Sequence, residues 1–307
     1  MSAPRQFAGQ TLADLGEDRV VARLTRRLPP GKDVLHGPGD DCAVIGKPRD
    51  ARWQLLKTDM VVEGIHFRAD EDPRRVGRKA LCRAISDIAA MGGIPGHALI
   101  TLAAPSSTPV ARVDALYAGM EKAARQFGLG IVGGETSRSP GPLFLNIALT
   151  GHVERACCTL RSGGRAGDVL YVTGRLGGSL GGKHLDFIPR LAEARWLVTH
   201  FKPRAMMDLS DGLAADLPRL AAASECGFEI ACDQLPLNPG CTAEQALSDG
   251  EDYELLFAIH PRLAADLERA WKRKFSRLPL TRIGELLPIS RIKTRNTRHP
   301  RGYDHFA

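Results

Sequence analysis

The chain has 307 residues, of which 43% are apolar and 25% charged, and its formal net charge at pH 7 is +7. This length allows two domains of ordinary size or one large domain, and no apolar run approaches the roughly 18 residues of a membrane-spanning helix. Residues 1–16 lack the apolar stretch of a secretory signal, so we expect a cytoplasmic protein without membrane contact.

The first half of the chain predicts alternating helices and strands. Asp72 precedes Pro73, a pair typical of an N-cap followed by the first turn of a helix. The predicted elements are, in chain order, a helix over 11–28, a strand over 53–62, a helix from 73 to the glycine pair 92–93, a strand over 97–103, a helix over 109–127, a strand over 130–133 that enters a glycine turn, and a strand over 143–153.

We place a domain boundary near 151–155, which divides the chain into an N-terminal domain (1–150) and a C-terminal domain (151–307). In the second domain, Ser210 or Asp211 is available to cap a helix. The elements predicted there are a strand over 169–173, a glycine-rich loop over 174–182, a strand over 205–209, a helix over 213–224 and a strand over 255–259. Strands and helices that alternate in this way are typical of α/β or α+β domains.

The cysteines and the basic residues exclude several classes of protein. The seven cysteines form no C-x-x-C pair, and their number is odd, so neither a zinc site nor a disulfide framework is expected. Much of the positive charge lies over 272–274 and 291–301. No nucleic-acid-binding motif accompanies it, so we expect a solvated basic face that could attract anionic substrates, and no nucleic-acid partner.

Five short segments place a carboxylate beside glycine or a hydroxyl residue. Oxygen-rich groups of this kind suit Mg²⁺, which usually keeps several waters and is shared with substrate phosphates. Carboxylates so far apart in sequence cooperate only if the fold gathers them, and the sequence therefore predicts a magnesium-nucleotide site. The segments are Gly39-Asp40-Asp41, Thr58-Asp59, Ser86-Asp87, Gly134-Glu135-Thr136 and Leu209-Ser210-Asp211-Gly212.

Other interpretations of these motifs stay open at this point. Gly39-Asp40-Asp41 taken alone is more often a turn, and Ser210 and Asp211 could simply cap a helix. The stretch GGSLGGKH over 177–184 nearly fits a P-loop, but His184 stands where a magnesium-binding hydroxyl is needed. Dinucleotide-binding and protein-kinase signatures are missing as well, so an enzyme that uses ATP here needs a different fold.

These segments, in this order, resemble thiamine-monophosphate kinase, a family of the aminoimidazole ribonucleotide synthetase superfamily. The similarity runs from about residue 39 to the C-terminus. The matching stretches are GDDCAVI (39–45), KTDMVVEGIHF (57–67), KALCRAISDIAAMGG (79–93), GGETSRS (133–139), TLRSGGRAGD (159–168), DLSDGL (208–213), DGEDYELLF (249–257) and GYDHF (302–306).

The resemblance implies an α/β (α+β) fold of two domains. The N-terminal domain binds ATP and Mg²⁺ and its sheet forms a dimer barrel, and the C-terminal domain is an α/β domain. It implies phosphorylation of thiamine phosphate to thiamine diphosphate by a homodimer that uses ATP and several Mg²⁺ ions. By motif, the resemblance implies as metal ligands Asp41, Thr58, Asp59, Asp87, Glu135, Asp208 and Asp211, of which Asp59, Asp87 and Asp208 are also the catalytic residues. It implies that the nucleotide is contacted by Gly134, Arg161 and Ser210. It implies that thiamine phosphate is bound by His66, Glu251 and Tyr303.

Two residues depart from the family pattern. Glu135 stands where the family usually has aspartate, and Lys57 replaces a small hydroxyl residue. The lysine could displace one cation, bind phosphate as a point charge, or point away from the site. Two alternatives therefore remain: another ATP-using enzyme of the superfamily, and a weakly active paralogue that binds nucleotide or thiamine phosphates.

Overall fold

Two β-sheets with helices packed against them make up the chain. The computed structural model describes residues 9–29, 31–289 and 302–306. The first sheet has the strand order β1-β2-β3-β6-β4-β5, in which only the β4–β5 pair is parallel. Its strands are β1 (Val34–His36), β2 (Ala43–Ile45), β3 (Arg52–Val62), β4 (Ile94–Ala104), β5 (Gly130–Arg138) and β6 (Phe144–Glu154).

The second sheet is antiparallel and has the strand order β8-β10-β7-β11-β9. Every residue of β7, β8 and β10 is buried, because these strands are covered on both faces and consist of short, mainly apolar runs. The strands are β7 (Val169–Thr173), β8 (Ala205–Asp208), β9 (Cys226–Ile230), β10 (Leu255–Ile259) and β11 (Leu280–Pro288).

Helices pack against both sheets, and short 3-10 turns lie at 179–181, 232–234 and 261–263. Among the described residues, no helix has the length and apolarity to cross a membrane. The α-helices are α1 (Leu12–Leu15), α2 (Glu17–Thr25), α3 (Pro73–Ala90), α4 (Val110–Phe127), α5 (Lys183–Asp186), α6 (Leu191–His200), α7 (Leu213–Ala223), α8 (Ala243–Ser248) and α9 (Ala264–Lys274).

Helix α3 lies between the two sheets. Its start was predicted correctly: the Asp72 side chain accepts a hydrogen bond from the Arg74 N–H at 2.9 Å, with Pro73 in the first turn. Ile88 packs in the core of the first sheet, while Ala89 and Ala90 pack in an apolar cluster of the second. A helix enclosed in this way carries its last turn to the junction of the two sheets.

Helices α3 and α4 approach each other closely through glycine. A Cβ atom added at Gly77 would lie 1.9 Å from the carbonyl oxygen of Leu116, and one added at Gly119 would lie 1.9 Å from that of Arg74. Both clashes are with backbone, which cannot rotate away as a side chain can. Contact between these helices therefore requires residues without a Cβ atom.

We expect Gly77→Ala to lower the free energy of unfolding by about 1–3 kcal/mol, the usual range for overpacking. Intrinsic helix propensity alone predicts the opposite sign, since alanine is favoured over glycine by about 1 kcal/mol in a helix. Urea unfolding measures the difference. Gly141→Ala is the control, because among the described residues its Cβ meets no atom within 4 Å, and equal stabilities for the two variants would contradict the close approach.

Three local predictions were wrong. The helix expected over 11–28 is divided at Gly16, whose φ is +71°. The expected glycine turn after residue 133 is instead part of β5, which continues to Arg138. The N-cap of α7 is Gly212, while the side chain of Asp216 accepts hydrogen bonds at 3.0 Å from the backbone N–H groups of Ser210 and Asp211.

The other predicted helices and strands are present within a few residues of their expected bounds, which confirms the mixed helix and sheet class. The chain passes from the first sheet to the second between β6 and β7, and the domain boundary near 151–155 stays a prediction. The basic run over 291–301 and Pro30, which follows the first predicted helix, lie outside the described residues.

Candidate active site

Three carboxylates from distant parts of the chain meet at the junction of the sheets. Asp41 lies just before β2, Asp87 in the last turn of α3, and Asp208 at the end of β8. One ligand atom from each lies within 4.8 Å of the others, and all three residues are buried. The fold thus gathers these three predicted residues as the motif analysis required.

The cluster has the chemistry of a cation site. The Ser86 hydroxyl donates to Asp208 at 2.6 Å and Arg161 donates to Asp41 Oδ1 at 2.5 Å, but the buried Oδ2 of Asp41 has no hydrogen-bond partner among the described residues. Burial, reinforced by the neighbouring carboxylates, raises the pKa of Asp87 well above its usual value and that of Asp208 to about 7. A divalent cation would relieve both conflicts, so these residues fit Mg²⁺.

Asp59 lies beside this cluster on β3, together with Lys57. The Lys57 ammonium is 2.9 Å from Asp87 and 3.9 Å from Asp59, and the Arg83 Nε is 3.8 Å from Asp59. Burial raises the pKa of Asp59, but these two positive charges outweigh burial and leave that pKa below its usual value. Asp59 is therefore held by cationic side chains at the edge of the carboxylate cluster.

The outer face of the first sheet carries a second group of predicted site residues. Thr58 is exposed and donates to Asn146 Oδ1 at 3.0 Å. Thr101 is in register with both Asn146 and Glu135, and Glu135 is exposed beside Gly134 on β5. Since successive strand residues point to opposite faces, the structure separates the side chains of Thr58 and Glu135 from that of Asp59.

Asp211 is held apart from the buried carboxylates by an ion pair. Its carboxylate contacts the guanidinium of Arg219, which also donates to Asp216 at 3.0 Å and to Asp18 at 3.0 Å. Asp216 is fully buried and fixes the backbone of Ser210 and Asp211. The roles of Ser210 as a nucleotide contact and Asp211 as a metal ligand stay predictions.

The three residues assigned to the thiamine phosphate side line one cleft. It has about 470 Å³ of empty space, part of it open to solvent. His66, Glu251 and Tyr303 face it together with Ser210 and Asp211, which border the carboxylate cluster through β8. The remaining lining residues are Ile65, Arg83, Leu180, Asp249, Tyr253 and His305.

Lys79 lies beneath the surface of this cleft and contacts two of its lining residues. Its side chain is inaccessible to solvent, and its ammonium lies 2.7 Å from Glu251 and 2.5 Å from the carbonyl oxygen of His66. Glu251 and Tyr253 have φ angles of +53° and +51°, a left-handed conformation that costs non-glycine residues free energy and marks functional sites. The buried ion pair therefore supports a strained loop.

The environment of His66 favours a neutral imidazole ring. Its Nδ1 accepts a hydrogen bond from the Val62 N–H at 3.1 Å, and burial together with the charge of Arg83 lowers the pKa of His66 to about 3. Its ring lies 5.2 Å from that of His305, which in turn lies 4.9 Å from Tyr303. These rings form one aromatic wall of the cleft.

Four residues of the site were missed by the motif analysis: Lys79, Arg83, Asp216 and Arg219. A signal for two of them was present in the sequence. Lys79, Arg83 and Asp87 are spaced by four residues on α3, so they share one face of that helix. Asp216 and Arg219 gave no comparable signal, because their partners are set by the path of the 208–212 turn.

The pKa of Asp208 predicts how the metal-free protein responds to pH. The folded state, with a pKa of about 7 for Asp208, retains the proton more tightly than the unfolded chain. The free energy of unfolding should therefore fall as pH rises from about 4 to about 7, by on the order of 1 kcal/mol per pH unit. Thermal unfolding in EDTA at several pH values measures this, and Asp208→Asn, which does not ionise, should lose less stability over that interval.

Each half of the chain matches a known protein family. Residues 39–153 match the family "AIR synthase related protein, N-terminal domain". Residues 180–292 match the family "AIR synthase related protein, C-terminal domain". The fold is therefore the two-domain arrangement of these proteins.

Comparison with individual proteins is more specific. The thiamine-monophosphate kinase of Rhodopirellula baltica is 38% identical over 281 residues, covering 86% of this chain and 86% of that protein. That of Bacillus subtilis is 30% identical, covering 95% of this chain and 100% of that protein. The structure of AaThiL complexed with AMPPCP and TMP matches with a TM-score of 0.81 and 30% identity over 98% of this chain and 100% of that one. Because these identities extend over most of both proteins, this chain belongs to the thiamine-monophosphate kinase family.

Proposed function

We propose that this chain transfers the γ-phosphoryl group of ATP to the phosphate of thiamine monophosphate, giving thiamine diphosphate and ADP. One observation carries the proposal: AaThiL, solved with AMPPCP and TMP, matches 98% of this chain. Its two ligands are an analogue of the phosphoryl donor and the phosphoryl acceptor. The enzyme is accordingly an ATP-dependent kinase whose acceptor is itself a phosphate group.

The reaction needs little from a general base. A bond forms between the γ-phosphorus and an oxygen of the acceptor phosphate, while the bond from that phosphorus to the bridging oxygen of ADP breaks. The acceptor oxygen is already anionic near neutral pH, so repulsion between the two phosphates is the main obstacle. Side chains that reduce this repulsion and hold donor and acceptor in line therefore contribute most.

The donor side is proposed to lie at the carboxylate cluster. Asp41, Asp87 and Asp208 would hold Mg²⁺, with Asp59 beside them, and the bound ion would neutralise phosphate charge and orient the triphosphate. Arg161 fixes Asp41 and retains a buried Nε–H without a hydrogen-bond partner among the described residues. That donor is available for a phosphate oxygen of the nucleotide.

The acceptor side is proposed to be the cleft. Arg83 lies both in the cleft wall and within 3.8 Å of Asp59, so its charge stands between the two phosphate groups. Glu251 supplies negative charge for the cationic thiazolium ring, and the rings of His66 and Tyr303 provide an aromatic wall for stacking. This arrangement selects a cationic heteroaromatic ligand that carries a phosphate.

A coupled ADP-release assay tests the function. With ATP and Mg²⁺, thiamine monophosphate should give one thiamine diphosphate per ADP, while thiamine and purine-pathway acceptors should give none. Phosphorus NMR identifies the product. Binding of ATP and Mg²⁺ without ADP release would instead favour the weakly active paralogue, and release with a purine-pathway acceptor would favour another enzyme of the superfamily.

We further propose a homodimer built on the outer face of the first sheet. Large apolar side chains are exposed on three of its strands, and exposed apolar surface of this extent favours association. They are Leu56 (40%), Met60 (45%), Leu99 (48%) and Val132 (60%). Such a dimer would cover Thr58, Gly134 and Glu135, the predicted site residues on the same face, and light scattering should give about twice the 33.2 kDa of one chain.

The cellular location and the division of labour between domains are part of the same proposal. We place the enzyme in the cytoplasm, where ATP is available. Residues 1–150 would bind ATP and Mg²⁺ and form the dimer, and residues 151–307 would complete the site with Asp208, Ser210 and Glu251.

A further inference from the structure

The side chain of Lys57 lies inside the acidic site. It leaves β3 on the same face as Asp59 and is 21% exposed. Its ammonium contacts Asp87 at 2.9 Å and lies 3.9 Å from Asp59. The first distance is that of a strong charge-assisted hydrogen bond, so the geometry excludes a lysine that points into solvent.

We propose that the Lys57 ammonium is a built-in cation that takes the place of one divalent ion between Asp59 and Asp87. The consequence for catalysis rests on the proposed Mg²⁺-assisted transfer. The claim that the ammonium occupies the place of an ion rests only on the contacts of Lys57. Lys57 is not among the residues assigned to the metal, the nucleotide or the substrate.

Distance supports this assignment. An ion shared by Asp59 and Asp87 must lie about 2.1 Å from an oxygen of each, and the Lys57 ammonium already lies 2.9 Å from Asp87 and 3.9 Å from Asp59. A divalent ion there would also face the lysine charge at close range without intervening solvent. An ion can still be held by the cluster of Asp41, Asp87 and Asp208, where the Oδ2 of Asp41 has no partner among the described residues.

Charge also supports it. Without a positive group, Asp59 and Asp87 would be two adjacent carboxylates in a largely buried position, an arrangement that is strongly unfavourable. The Lys57 ammonium supplies that positive group, 2.9 Å from Asp87 and 3.9 Å from Asp59. It would place one positive charge of the protein itself beside the proposed place of phosphoryl transfer.

Counting bound ions tests the proposal. Mn²⁺ binding, measured by electron paramagnetic resonance with and without AMPPCP, should show one more ion per chain in Lys57→Ser than in the unchanged protein. Lys122→Ser, at an exposed position on α4, is the control and should leave the count unchanged. Equal counts for Lys57→Ser and the unchanged protein would overturn the proposal.

Stability gives a second readout that does not depend on activity. In EDTA, Lys57→Ser should have a lower Tm than the unchanged protein, and Mg²⁺ or Mn²⁺ should raise its Tm by more. If this variant does not fold without metal, Mn²⁺ should restore folding, and failure of Mn²⁺ to do so would count against the proposal. Neither measurement requires turnover, so a chain that fails as a thiamine-monophosphate kinase could still confirm or refute the role of Lys57.

Discussion

Asp208→Asn should lower kcat by at least about 10²-fold, the scale reported for loss of one electrostatic contact to a transition state. Asp208 is the residue of the second sheet in the cluster of three carboxylates that lie within 4.8 Å of one another. An amide keeps the shape and can still accept the hydrogen bond from Ser86. It removes the charge that would hold Mg²⁺, so the loss is expected in turnover while the fold is kept.

The coupled assay at saturating ATP and Mg²⁺ measures this effect. Asp233→Asn, at an exposed position of the second half, is the matched control and should leave kcat unchanged. The Tm of Asp208→Asn in EDTA should equal or exceed that of the unchanged protein at pH above 7, since a buried charge conflict is removed. Turnover near the unchanged level would take Asp208 out of the mechanism.

Lys79→Met should lower the free energy of unfolding by about 3 kcal/mol, the lower end of the range for breaking a buried ion pair. Lys79 has no exposed side-chain surface, and Glu251, its partner at 2.7 Å, is 17% exposed. Burial lowers the pKa of Lys79 to about 8, so most of its ammonium groups are charged at neutral pH. Loss of the ammonium also frees the carbonyl oxygen of His66, and KM for thiamine monophosphate should rise more than kcat falls.

A double-mutant cycle separates stability from substrate binding. Glu251→Gln combined with Lys79→Met removes the unpaired carboxylate, so urea unfolding should show most of the lost stability restored. The KM of the double variant should remain high, because the cleft has lost its negative charge. Additive losses of stability in the double variant would show that the two residues do not act as a pair.

Several elements were predictable because their signals are local. The strand over 169–173 is an apolar run bounded by Asp168 and Gly174, and β7 has the same bounds. The start of α3 follows from Asp72 and Pro73. In both places the signal lies in adjacent residues of the sequence. It is an apolar run in the first case and a helix cap in the second.

Other elements depended on contacts with distant residues. The first helix is divided at Gly16, and the next helix begins where Glu17 N–H donates to the side chain of Asp304 at 3.2 Å, from the other end of the chain. The turn at 210–211 is held by Asp216, which lies within α7. Such contacts join residues far apart in the chain, so local propensity could not predict them.

The order of the sequence motifs was enough to predict the family and the fold class. It was also enough to predict that the carboxylates of Asp41, Asp87 and Asp208 lie close together. Folding decided the rest. The twofold alternation of β3 sends Thr58 to the outer face while Lys57 and Asp59 face α3, and packing of α3 between the sheets brings Asp87 within 2.9 Å of the Lys57 ammonium. Whether a lysine beside a metal motif points outward or fills the site depends on the charges that other elements bring to it, and those positions exist only in the folded protein.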